Sequence, residues 1–183
     1  MNHNYKFKKI WSISLNNSKN TKKILEYDYH NYIPLKWQLL LMSDGSFTQN
    51  LISLTGHTIN LNIISTFIYN TLNDKHYIRE VWLQDKTHDN LAFAKSIWPI
   101  YKYNNILQMY KLQNKPIGQS LIESRIDIYK DIHEIYYGYC QHLENRFQIN
   151  EPTWGRKYTI YCENRPLTTI QEIFSPQIVE FFT

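Results

Sequence analysis

Glycine and cysteine are scarce in this chain, and that scarcity removes most of the common enzyme signatures at once. Only five of the 183 residues are glycine and two are cysteine. No phosphate-binding G-x-x-x-x-G-K-[ST] loop, no G-x-G-x-x-G dinucleotide turn and no Gly-x-Ser-x-Gly nucleophile elbow can be written from them. Cys140 and Cys162 are too few for a disulfide scaffold and fit a reducing compartment. The histidines (His3, His30, His57, His76, His88, His133 and His142) are scattered, without an H-E-x-x-H or any other metal-ligand spacing. No Cys–His arrangement suggests covalent catalysis. Metal and cofactor chemistry are therefore not expected. No apolar run approaches the ~20 residues needed to span a bilayer, so membrane insertion is not expected either. The N-terminus has neither the apolar segment of a signal peptide nor the Arg-rich helix of a typical transit peptide.

What the chain has in quantity is tyrosine, fifteen in all, with many Ile, Asn and Lys and only Ala92 and Ala94 as alanines. These residues have AT-rich codons, which points to an AT-rich genome such as a plastid or a reduced bacterium. The hydrophobic fraction of 43% and charged fraction of 20% are those of a soluble globular protein. A formal charge of +4 suits nucleic acid or a small anionic substrate equally. Lys6, Lys8, Lys9, Lys19, Lys22 and Lys23 crowd the N-terminus and read as solvated surface.

Residues 1–33 are weakly patterned and read as an N-terminal arm; residues 34–183 read as one domain. Pro34 can open a helix through Leu41, ended by Asp44-Gly45. Ser46 can cap a helix through Leu54 that stops at Gly56. Ile59, Leu61 and Ile63 alternate with polar residues as in a half-buried strand. Residues 77–84 and 91–97 form a hairpin, Asn104 or Asn105 begins a helix through Leu112, and Lys115-Pro116-Ile117-Gly118 breaks it before a short helical piece at Leu121. Residues 126–132 read as a strand and 136–151 as an inserted loop or helical excursion. Residues 158–162 and 167–174 form a last hairpin. Hairpins with helices grouped between them indicate an α+β fold, a single antiparallel sheet with helices packed over it and covering an internal ligand cavity.

Two charges interrupt strand-like runs. Arg79 shares a strand face with Tyr77, Val81 and Leu83; Glu172 shares one with Ile170 and Phe174. A charge on an apolar face costs several kcal/mol unless it meets a partner or polar ligand. The pair is either a buried structural ion pair or the two ends of an anionic-substrate pocket. Lys95 shares a face with Leu91, Phe93 and Ile97, which makes it a second candidate inward cation.

An ordered series of motifs spans residues 36–176. It runs through Asp44-Gly45-Ser46-Phe47-Thr48, Ile78-Arg79-Glu80-Val81, Ala94-Lys95-Ser96-Ile97-Trp98-Pro99 and Lys115-Pro116-Ile117-Gly118. It continues with Trp154-Gly155-Arg156, Pro166-Leu167 and Glu172-Ile173-Phe174-Ser175-Pro176. The series resembles the chorismate pyruvate-lyase family, closest to its plastid and cyanobacterial branch. The resemblance implies a cofactor-independent lyase that converts chorismate to 4-hydroxybenzoate, which feeds quinone synthesis, and pyruvate. It implies that Arg79 pairs with the ring carboxylate and that Glu172 contacts the hydroxyl at the far end of the ring. It places Phe47 and Ile117 against the substrate, beside backbone contacts from Ser46-Phe47-Thr48 and Pro116-Ile117-Gly118. Lys95 stands where the bacterial enzymes carry an inward Arg, keeping charge but losing the bidentate fork. Glu172 is read as general base at C4 or as hydrogen-bond partner of the 4-hydroxyl. The expected location is the chloroplast stroma for a plastid-encoded chain and the cytoplasm otherwise, and the expected state is a monomer without nucleic-acid partners. The competing class is a non-catalytic small-molecule sensor of the same fold, against which no helix-turn-helix pattern is found. A nucleic-acid module is disfavoured because the tyrosines are spread along the chain.

Overall fold

A computed structural model describes residues 6–15, 31–71, 74–100, 115–123, 125 and 127–182. Its strands are β1 (Lys8–Ser14), β2 (Asn60–Asn70), β3 (Lys75–Gln84), β4 (Asn90–Pro99), β5 (Ile128–Tyr139), β6 (Thr153–Cys162) and β7 (Arg165–Phe174). They form one sheet in the order β1-β5-β6-β7-β4-β3-β2, with every neighbouring pair antiparallel. Two meanders, β2-β3-β4 and β5-β6-β7, meet edge to edge at β4 and β7. That seam, where Ala94 lies opposite Glu172 and Ser96 opposite Ile170, has no local connection. The fold class is the α+β antiparallel sheet expected.

The helices are α1 (Leu35–Leu41), α2 (Phe47–Thr55), α3 (Ile117–Glu123) and α4 (Gln141–Phe147), with a 3-10 turn at Pro176–Phe181. Local chemistry sets their ends. Ser46 accepts a hydrogen bond from the Gln49 N–H at the start of α2, and Gly56 ends the helix in the left-handed region, at φ 68°. On one face of the sheet, Trp37, Leu40 and Leu41 of α1 and Phe47 and Leu51 of α2 pack against Leu83, Ala92, Trp154 and Phe174. Each fully buried Leu or Phe contributes about 1.5–3 kcal/mol, so this layer is the main cohesive contact between helices and sheet. On the other face Leu143 and Phe147 of α4 pack against Trp82, Phe93 and Ile173. Among the described residues no helix is long and apolar enough to cross a membrane.

Three sequence expectations change. Residues 8–14, assigned to an arm, form β1 and pair with β5, because Trp11, Ile13 and Leu15 alternate toward the core while the lysines face water. Residues 136–139 continue β5 and residues 141–147 form α4, so 136–151 is not an irregular insertion. Tyr136 and Tyr137 pack into opposite faces of a strand covered on both sides, so no polar alternation marks it. Gly118 lies within α3 instead of breaking a helix before it. The helix expected over 104–112 lies outside the described residues.

Candidate functional site

Cross-strand register builds the site. Val81, Ala94, Glu172 and Arg156 form one row across β3, β4, β7 and β6; Arg79, Ser96, Ile170 and Tyr158 form the next row on the same face. The small side chains of Ala94 and Ser96 leave a hollow between the larger residues of β3 and β7. A partly open pocket of about 190 Å³ fills it, roofed by Ser46–Thr48 at the start of α2 and by Pro116–Gly118 at the start of α3. The roof is tight, since a Cβ on Gly118 would stand 2.5 Å from Ser46 Oγ. Pockets for drug-sized ligands run to roughly 300–1,000 Å³. This one suits a single-ring molecule.

Arg79 is 4% exposed. One Nη donates to the Lys115 carbonyl at 3.0 Å, Nε is buried without an acceptor, and no carboxylate among the described residues pairs with the group. Burial pulls its pKa below the usual guanidinium value. A desolvated guanidinium without a carboxylate partner among the described residues carries a free-energy cost that an anion in the pocket would offset.

Glu172, 5% exposed, pairs with Arg156 and not with Arg79. Arg156 Nε donates to Oε2 at 2.7 Å and the Tyr158 hydroxyl donates to Oε1 at 2.9 Å. One Nη of Arg156 also donates to the carbonyls of Leu40, Leu41 and Ser43, at 2.8, 3.1 and 3.0 Å. The guanidinium thus ties the end of α1 to the sheet and lies over the rings of Phe47, Tyr158 and Phe174. Burial, reinforced by Glu172, pushes the Tyr158 phenol well above its usual pKa and keeps it a donor.

Lys130 of β5 lines the same pocket. Its ammonium donates to the carbonyls of Gly45 at 2.8 Å and Ser43 at 3.2 Å, and sits 4.7 Å from the Tyr158 ring centroid. Burial, with repulsion from Arg156, lowers its pKa to about 8 against the attraction of Glu172 and Asp44.

Four of the residues singled out in the sequence, Arg79, Glu172, Phe47 and Ile117, line this pocket. Lys95 does not. Arg79 registers with Ser96, so Lys95 points to the opposite face with Glu80, its ion-pair partner at 3.1 Å. Residues 104–114 of the expected cover lie outside the described residues. Arg156, Tyr158 and Lys130 were missed. The face-parity rule that found Arg79 also finds Arg156, which shares its face with Trp154, Tyr158 and Ile160. Lys130 likewise shares a face with Ile128 and Ile132. No group of three or more His, Cys, Asp or Glu side chains suited to a metal occurs among the described residues.

An antiparallel sheet with a charged, single-ring pocket under short helices is a small-molecule-binding α+β domain. The chain belongs to the Rv2949c-like chorismate pyruvate-lyase family, whose pattern matches residues 41–182. Its relatives include the uncharacterised ycf21 protein of Antithamnion sp., 44% identical over 81% of this chain and 83% of that one. The ycf21 protein of Porphyra purpurea is 40% identical over 88% and 94%. These relatives come from plastids and place the chain in the plastid branch of the family. Solved structures share the fold. Gene product SA0254 from Staphylococcus aureus has a TM-score of 0.54 at 16% identity, over 73% of this chain and 90% of that one. The effector domain of PhnF from Mycobacterium smegmatis has a TM-score of 0.53 at 9% identity, over 73% and 90%.

Proposed function

We propose that this protein is a chorismate lyase, releasing 4-hydroxybenzoate and pyruvate from chorismate in the plastid stroma. The observation that carries the reading is Arg79, a buried guanidinium without a carboxylate partner among the described residues, lining a ring-sized pocket in a chain of this family. Its planar fork matches the ring carboxylate, and the low-dielectric surroundings strengthen that contact. Glu172, two strands away across the seam, meets the 4-hydroxyl.

The reaction is redox-neutral. The C3–O ether bond breaks with its electron pair going to oxygen, C4 loses a proton, and the C4–H pair completes the aromatic ring. The enolpyruvate takes up a proton to become pyruvate. Aromatisation drives the step, so the protein's task is to hold the ether arm in reactive geometry and stabilise charge on the leaving oxygen. Both oxygens of Glu172 already accept hydrogen bonds, from Arg156 and Tyr158. That occupancy supports an orienting role over that of the C4 base.

Incubation of purified protein with chorismate in the presence of a chelator should yield the two products in equal amounts. Formation of 3-hydroxybenzoate or prephenate, or no turnover, would reject the lyase reading. The fold shared with the PhnF effector domain favours one alternative, a sensor that binds a ring acid unchanged. Saturable binding with quantitative recovery of the ligand would mark that outcome.

A further inference from the structure

We infer that Lys130 forms a second anion subsite of the pocket, taking the carboxylate carried on the ether arm of the ring substrate while Arg79 takes the ring carboxylate. The inference rests on the lyase reading above and deepens it. An ammonium has three donors. The structure gives Lys130 Nζ two acceptors, the Ser43 and Gly45 carbonyls, and no ion pair with a described carboxylate. The remaining donor belongs to a residue that lines the pocket.

The position follows from the ring. With C1 toward Arg79 on β3 and C4 toward Glu172 on β7, the ether at C3 leaves the ring beside Glu172. Continuing away from β3, the sheet offers β6 and then β5. On β6 the Tyr158 hydroxyl touches Glu172, and the Lys130 ammonium lies over that tyrosine's ring. Arg156 is fully buried, with Nε engaged by Glu172, one Nη by three carbonyls and the other Nη buried without a partner among the described residues, and it does not line the pocket. Lys95, the other candidate for this carboxylate, is held by Glu80 on the far face. The charges facing Lys130 are Arg156 from β6, Glu172 from β7 and Asp44 from the turn before α2, with the Tyr158 phenol beside them. With Arg79, three cations stand against one buried carboxylate and one at the exposed mouth, a balance suited to a dianion.

Two stable probes separate the subsites by titration calorimetry. 4-Hydroxybenzoate carries one carboxylate, and 3-(carboxymethoxy)-4-hydroxybenzoate adds a second on an ether arm. Lys130→Met should weaken the dianion at least about tenfold and leave 4-hydroxybenzoate within about twofold. At about pH 8.5, dianion binding to the unmodified protein should take up a proton, seen as binding heats that vary with buffer ionisation enthalpy, and 4-hydroxybenzoate should take up less. Equal weakening of both probes by Lys130→Met would reduce Lys130 to a strut for the 43–45 turn and overturn the subsite. Dianion affinity unchanged by Lys130→Met would overturn it as well. If the unmodified protein binds neither probe, the ring-acid reading falls first, and the subsite with it.

Discussion

Arg156 and Glu172 stand opposite each other on β6 and β7, joined by a 2.7 Å hydrogen bond from Nε to Oε2, with Arg156 fully buried. This pair fixes Glu172 at the seam between the two meanders. It leaves Arg79, on the other side of the pocket, without a carboxylate among the described residues. One cation is structural and the other is available.

Arg156→Met should therefore be severely destabilising. It strands Glu172 in the core and frees the carbonyls of Leu40, Leu41 and Ser43, and such breaks cost about 3–5 kcal/mol. Urea denaturation of this variant, of Glu172→Met and of the double variant would test it. The double should lose clearly less than the sum of the singles, since neither charge is then left alone.

Arg79 should behave in the opposite sense. Arg79→Met removes a buried charge that no described carboxylate compensates, so the ligand-free protein should unfold at equal or higher urea concentration while affinity for 4-hydroxybenzoate falls at least about tenfold. Arg79→Lys should also bind poorly, because a point charge cannot replace a planar fork. In turnover assays the loss should appear chiefly in KM.

Glu172→Gln retains shape but turns one acceptor into a donor facing Arg156 or Tyr158. With Glu172 orienting the 4-hydroxyl, kcat should fall about tenfold. A fall of ~10²–10⁴ would instead make it the base. Unchanged kcat and unchanged product affinity would remove it from the site.

Lys130 gives stability a pH signature. Its folded pKa, about 8, lies below the ordinary lysine value of 10.5. Between those values the unfolded chain holds more protons on this side chain, so its contribution to stability rises with pH from about 8 to 10.5. The buried phenols of Tyr136 and Tyr158 are shifted upward, and their contribution falls above about pH 10 as the unfolded tyrosines ionise. Urea titrations of the unmodified protein and Lys130→Met should differ in slope between pH 8 and 10, the substitution making stability flatter there.

The roof contact between α2 and α3 can be opened without touching a charge. Gly118→Ala would drive its new methyl into Ser46, whose Cβ lies 2.8 Å from the ideal position. KM for chorismate, or Kd for 4-hydroxybenzoate, should rise several-fold. Ser46→Gly in the same chain should restore most of it, because glycine at the helix cap costs only a few tenths of a kcal/mol.

Strand periodicity made Arg79 and Glu172 visible, since each is a charge on an apolar face. The caps at Ser46 and Gly56 were legible because capping depends on residues three or four apart. The same parity argument misled at Lys95. Of its apolar companions, Leu91 packs on the α1–α2 face beyond a register shift and Phe93 on the α4 face, so burial alone does not say which face Lys95 takes, and only pairing of Arg79 with Ser96 settles that. The stretch at Tyr136–Tyr139 hid its strand for a related reason, with neighbours covering both faces.

Sequence alone thus determined the antiparallel α+β class, the hairpins, the ends of α2 and the motif series that marks the family. All of these follow from residues close in the chain or from patterns of residue type. Tertiary structure decided which charges meet. The β4–β7 seam joins two meanders through hydrogen bonds between segments some 75 residues apart, Ala94 facing Glu172 and Ser96 facing Ile170. Its register puts the face of β3 and β4 that carries Arg79 on the same side as the face of β6 and β7 that carries Glu172 and Tyr158, and so assembles the pocket from two separate hairpin systems. A shift of one residue in that pairing would exchange the faces. No local propensity encodes it, because it is set by how well both packed faces of the sheet fit at once.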